Sequence, residues 1–80
     1  MTEQKELKYP TKGQRRRQDI LEFIQDYRGF KGYYPSVGEI AYGLNTMKSN
    51  IHHHLLLMEK EGTLTHAPGI ARSWRLTSAE

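Results

Sequence analysis

Cysteine is absent from this 80-residue sequence. Its absence excludes a disulfide framework and a thiolate metal site, and it is compatible with a reducing compartment. Long apolar runs are missing too. No stretch reaches the length of a signal-peptide core or a membrane span, so no membrane partner is expected and a cytoplasmic setting is the default. There is no phosphate-cradling glycine loop, no Gly-x-Ser-x-Gly elbow and no pair of carboxylates at a useful spacing. Neither catalysis nor a cofactor is therefore expected. No internal repeat is visible. What remains is a small, mildly basic chain, with 12 Lys and Arg against 9 Asp and Glu and a net charge of +3. Such a balance permits a polyanionic partner without requiring one. A chain of this length forms one small domain that buries only about 60% of its unfolded surface.

The most informative stretch runs from Ser36 to Gly62, SVGEIAYGLNTMKSNIHHHLLLMEKEG. Pro35 keeps Ser36 extended, Ser36 can cap a helix, and Glu39 three residues later completes a capping box. Ile40, Ala41 and Leu44 share one face of that short helix. Asn45 tolerates the left-handed conformation that ends helices. A second, longer helix starts near Met47, a poor N-cap for which Thr46 is the alternative. Ile51, Leu55 and Met58 fall at i, i+4 and i+7 along it, and Gly62 terminates it. A short helix, a tight turn and a longer helix with one apolar stripe make a helix-turn-helix.

Opposite that stripe stand Met47, Lys48, Ser49, Asn50, His52 and His53, with no acid before Glu59. A merely solvated face more often alternates Glu with Lys. Asn suits adenine edges, Ser several edges, and His and Lys suit guanine or phosphate, so this face has the chemistry to read a major groove. His52, His53 and His54 do not make a metal site. Neighbouring helical residues point about 100° apart, whereas helical ligand pairs need i, i+4 spacing. His54 is expected to pack inward.

The runs GYYPSVGEIAYGLN and SNIHHHLLLMEKEGTL resemble the winged-helix DNA-binding domain of LexA-type repressors. The resemblance rests on Gly32, Pro35, Ser36, Glu39, Ile40, Ser49, Asn50, His54, Leu55, Met58, Gly62 and Leu64, and it spans residues 12 to 77. It implies a winged helix-turn-helix, mainly α with a small β-hairpin: three helices plus a two-stranded wing. It also implies sequence-specific binding to double-stranded DNA as a transcriptional regulator, more often a repressor, in a nucleoid-associated, prokaryotic or viral context. The family's groove-facing positions fall on Met47, Ser49, Asn50, His52 and His53. LexA proteins carry a second, self-cleaving domain; this chain ends after the wing, so neither that activity nor that domain's dimerisation is expected of it.

The remaining segments follow from pattern. Residues 1–10 read as a flexible tail, with an arm reaching DNA or a second subunit as the alternative. Residues 11–77 form the domain, and 78–80 a frayed end. Thr11 and Gln14 can box the start of a first helix that runs to about Tyr27, with Ile20, Leu21, Phe23, Ile24 and Tyr27 inward. Arg15, Arg16 and Arg17 are phosphate contacts or a solvated face. Arg28 to Tyr34 reads as a Gly-punctuated loop with Phe30 as a buried plug. Tyr33 and Tyr34 either pack beside the second helix or stack on unpaired bases. Gly38 weakens its helix by roughly 1 kcal/mol relative to Ala. After Gly62, TLTH and SWRLT alternate as two strands around a turn at Ala67, Pro68 and Gly69, with Leu64, Trp74 and Leu76 inward. Ser36, His66, Gly69 and Arg72 are the candidate DNA-backbone contacts. Leu56 lies off the buried stripe and is a candidate interface for a homodimer on a palindromic site or for a protein partner. A winged helix serving as a protein-interaction module, modulating a host polymerase or repressor, is the competing functional class.

Overall fold

The structure is a computed structural model that describes residues 11–77; the tail at 1–10 and the end at 78–80 lie outside the described residues. Three helices and a two-stranded hairpin follow one another: α1 (Lys12–Lys31), α2 (Val37–Gly43), α3 (Lys48–Glu61), β1 (Leu64–Thr65) and β2 (Arg75–Leu76). This is the winged helix-turn-helix that the resemblance implies, with the helix-turn-helix that the apolar spacing predicts.

Local chemistry sets the helix ends. The Thr11 hydroxyl accepts from the Gln14 amide, and the Gln14 side chain accepts from the Thr11 amide, closing a capping box at the start of α1. Ser36 and Glu39 do the same for α2. Gly62 adopts φ 89° after α3, and the next amide, of Thr63, reaches back to the Met58 carbonyl at 2.9 Å. Asn45 takes φ 58° in the turn between α2 and α3, as an Asn can.

One boundary differs from the sequence reading. Helix α1 continues a full turn past Tyr27 to Lys31 and stops only at Gly32, φ 88°, whose amide bonds the Arg28 carbonyl. Gly29 is helical, because an isolated glycine weakens a helix without breaking it. The extra turn carries Phe30 to the surface, where it is 85% exposed and plugs nothing. Space under the following loop is filled by Pro35, which is fully buried, and by half-buried Tyr34.

The core is a single cluster: Ile20 and Ile24 from α1, Ile40 and Ala41 from α2, Ile51, Leu55 and Met58 from α3, and Leu64 and Trp74 from the hairpin. Burying each large aliphatic side chain stabilises the fold by roughly 1.5–3 kcal/mol. The wing's share shows why the helices need it, since Leu64 and Trp74 close the cluster. The strands are shorter than TLTH and SWRLT suggest. Only Leu64↔Leu76 and Thr65↔Arg75 pair, in antiparallel register. Residues 71–72 form a second turn before β2, with Arg72 at φ 60°. At the tip, Pro68 and Gly69 (φ 78°) form a turn closed by the Ile70 amide on the Ala67 carbonyl at 3.0 Å. The Ser73 hydroxyl staples it, accepting from the Ala67 amide and donating to the Ile70 carbonyl.

Candidate nucleic-acid interface

Helix α3 is divided cleanly. Ile51, Leu55 and Met58 are buried, while Lys48, Ser49, Asn50, His52 and His53 are all exposed, and Met47 before them is 70% exposed. The first turn has no acidic residue, so its free amides and the helix dipole favour an anion there. Met47 is the N-cap in backbone geometry but offers no side-chain bond. Thr46 does not replace it; its hydroxyl instead accepts from the Asn50 side-chain amide at 3.0 Å. Asn50 is thereby held at the foot of α3 with its carbonyl oxygen uncommitted to that bond. The exposed face presents donors, acceptors and one long cation over two turns, which is the vocabulary of base-edge and phosphate recognition.

Beside this face α1 contributes residues that spacing alone left undecided. A surface hollow of about 540 Å³ is lined by Lys12, Arg15, Arg16, Asp19, Asn50 and His54, among others. The basic run is thus divided. Arg15 is exposed at the hollow, whereas Arg16 is half-buried, with Nη1 3.4 Å from the Leu44 carbonyl at the end of α2. Lys12 was not singled out by the sequence, since a lone lysine in a first turn has no pattern; only the approach of α1 to α3 brings it beside Asn50.

His54 packs inward, half-exposed as a residue but with Nδ1 buried and without a hydrogen-bond partner. Desolvation lowers its pKa, and the nearby Arg17, His53 and Arg16 act in the same direction. Among the described residues no group of three His, Asp or Glu side chains is arranged to hold a metal ion.

The backbone candidates are tied into the protein. The Ser36 hydroxyl is occupied in the α2 cap. The His66 ring stacks on Trp74 at 4.0 Å between centroids, and its Nδ1 lies 2.8 Å from a Glu59 carboxylate oxygen. Gly69 stands exposed in the wing turn. Arg72 reaches away from the wing tip: Nη1 and Nη2 donate to the two carboxylate oxygens of Glu39 at 2.6 and 2.7 Å. That guanidinium, followed by the Ser36 amide, lowers the Glu39 pKa to about 2. Tyr33 lies under the same guanidinium at 4.8 Å, and Tyr34 under Arg28 at 5.1 Å. Both tyrosines therefore offer a face to a cation of the protein itself. Leu56, further along α3, is 47% exposed.

Known proteins give this geometry a lineage. The family described as the LexA DNA binding domain matches residues 11–73. The LexA repressor of Brevibacillus brevis is 43% identical over 67 residues, which cover 81% of this chain and 32% of the repressor. That of Halalkalibacterium halodurans is 40% identical over 68 residues, covering 82% and 32%. The LexA repressor of Thermosipho melanesiensis is 32% identical over 65 residues, covering 81% and 33%. The chain spans about a third of the length of these curated relatives. With all three helices, the turn between the second and third, and the first strand of the wing inside the matched span, the chain belongs to the LexA DNA-binding domain family.

Proposed function

We propose that this protein binds double-stranded DNA sequence-specifically as a transcriptional repressor, with α3 in the major groove. The observation that carries this reading is the exposed, acid-free first half of α3 set on a fully buried apolar stripe. Ser49, Asn50, His52 and His53 read base edges, while Met47 and Lys48 sit at the groove wall. The hollow beside Asn50 receives a flanking backbone phosphate through Lys12 and Arg15. The wing lies along the neighbouring backbone through its exposed turn at Gly69.

The test is a salt-titrated binding assay on the best duplex selected from random-sequence DNA, with single strand as control. Affinity should fall linearly on logarithmic axes as counterions are released. Asn50→Ala should cost about 1–3 kcal/mol and relax preference at one base pair. A flat salt response, or equal binding of single strand, would remove the duplex reading.

One observation supports a second reading. Leu56 is an exposed aliphatic residue on the far half of α3, where a second copy or a heterologous protein could seat. A two-fold contact uses each residue twice, so a single leucine there counts double.

A further inference from the structure

Arg72 has the sequence position of a wing residue and the geometry of a latch. Its backbone is left-handed, with φ 60°, a conformation that a side chain with a Cβ adopts at a cost and keeps only when its surroundings hold it there. Both terminal nitrogens are committed to Glu39, one to each carboxylate oxygen. Forked pairing of this kind is the exception among exposed ion pairs, most of which contribute little. Nη1 also approaches the Tyr34 carbonyl at 3.4 Å, and the guanidinium plane is backed by the Tyr33 ring. Tyr33 in turn meets Tyr27 of α1 edge-on, with centroids 5.9 Å apart. Glu39 is meanwhile the acid of the α2 capping box, so one carboxylate joins the Ser36 amide to the wing.

We propose that Arg72 is a positioning residue for duplex binding, acting through Glu39 to fix the wing against the helix-turn-helix rather than by touching phosphate. The inference rests on the DNA reading above and refines it. A rigid wing presents its backbone contacts at a fixed distance from α3, so both engage without paying to order the hairpin on binding. A wing released from Glu39 is still tethered by two short strands but must be ordered each time.

Glu39→Gln separates the two roles of the carboxylate. Glutamine still serves a capping box but carries no charge for Arg72. Binding is measured for wild type, Glu39→Gln, Arg72→Gln and the double variant on the selected duplex, across salt and well below each variant's melting temperature. A positioning role predicts that each single variant binds about tenfold more weakly and that the double variant is no worse than either. It also predicts that the salt slope of Arg72→Gln equals that of wild type, since no phosphate contact is lost. Direct phosphate contact predicts the opposite: a slope reduced by about one for Arg72→Gln, and tighter binding by Glu39→Gln, which frees the arginine and removes a repelling carboxylate. That result overturns the inference. So does wild-type affinity in both single variants with only a lowered melting temperature, which would make the pair a stability element. Wild-type protein that binds no duplex overturns the DNA reading and this inference together; loss of the inference alone leaves wild-type binding and the Asn50→Ala effect intact.

Discussion

Two glycines in α2 look alike on paper and differ in what they touch. A Cβ on Gly38 would meet only ordinary contacts, the Lys48 side chain and the Ser36 hydroxyl, each at 3.9 Å. A Cβ on Gly43 would clash with the edge of the Phe23 ring. That ring is packed against Tyr27, with centroids 5.7 Å apart. Gly38→Ala is therefore expected to stabilise the protein by about 1 kcal/mol through helix propensity. Gly43→Ala should lose about 1 kcal/mol or more despite the same propensity gain, because the ring must move. Thermal unfolding of both variants checks the signs, and adding Phe23→Leu should recover much of the Gly43→Ala loss. His54 gives a second prediction at this scale. Its folded-state pKa lies below the unfolded value of about 6.5, because burial disfavours the charged ring. As pH falls below about 6.5 the unfolded chain takes up the proton first, so stability is lost until the folded-state value is passed. Melting temperatures followed downward from neutral pH should drop, and His54→Gln should remove part of that drop.

At the scale of the element, among the described residues α3 is the only helix that begins without a side-chain cap, whereas α1 and α2 both open on complete boxes. Met47→Ser should add about 0.5–2 kcal/mol by giving a free amide of the first turn an acceptor. Differential scanning calorimetry reads that gain. The same substitution removes a large exposed side chain from the face proposed to enter the groove, so base preference should change in the selection assay. These helix starts were legible in the sequence because a cap spans four residues and is written in adjacent letters. The exposed face of α3 was legible for a related reason: a 3.6-residue period places Ile51, Leu55 and Met58 inside and leaves Ser49, Asn50, His52 and His53 outside. The end of α1 was not. Gly29 and Gly32 are the same letter, and only the left-handed turn at Gly32 separates an interrupted helix from a finished one. Contacts across the chain were illegible for want of any period. Glu39 and Arg72 are 33 residues apart, and nothing nearby marks them as partners. Lys12 likewise gains its place beside Asn50 from the angle at which α1 meets α3.

For the whole molecule, assembly and stability can be separated at Leu56. The residue is 47% exposed and absent from the core cluster. Leu56→Lys should leave the unfolding free energy within about 0.5 kcal/mol of wild type. If Leu56 forms an interface, the same change lowers cooperativity on a palindromic duplex, read by sedimentation or native mass spectrometry with and without DNA. A large loss of stability with unchanged assembly would instead mean that the far half of α3 is rotated inward.

The latch at Glu39 also determines which parts of this domain are interchangeable. Its two halves lie on either side of α3 in the chain, one in α2 and one in the wing, so neither belongs to α3. A recognition segment from a relative could be transplanted over residues 48–61 without disturbing the latch, provided Ile51, Leu55 and Met58 keep the floor and Glu59 keeps its bond to His66. A transplanted wing has no such freedom. It would arrive facing a carboxylate chosen for another arginine, and unless its own side chain reached Glu39 the graft would fold and hang loose. Under the proposed DNA reading, specificity is thus a cassette in this architecture, while the wing is inherited together with the helix that holds it.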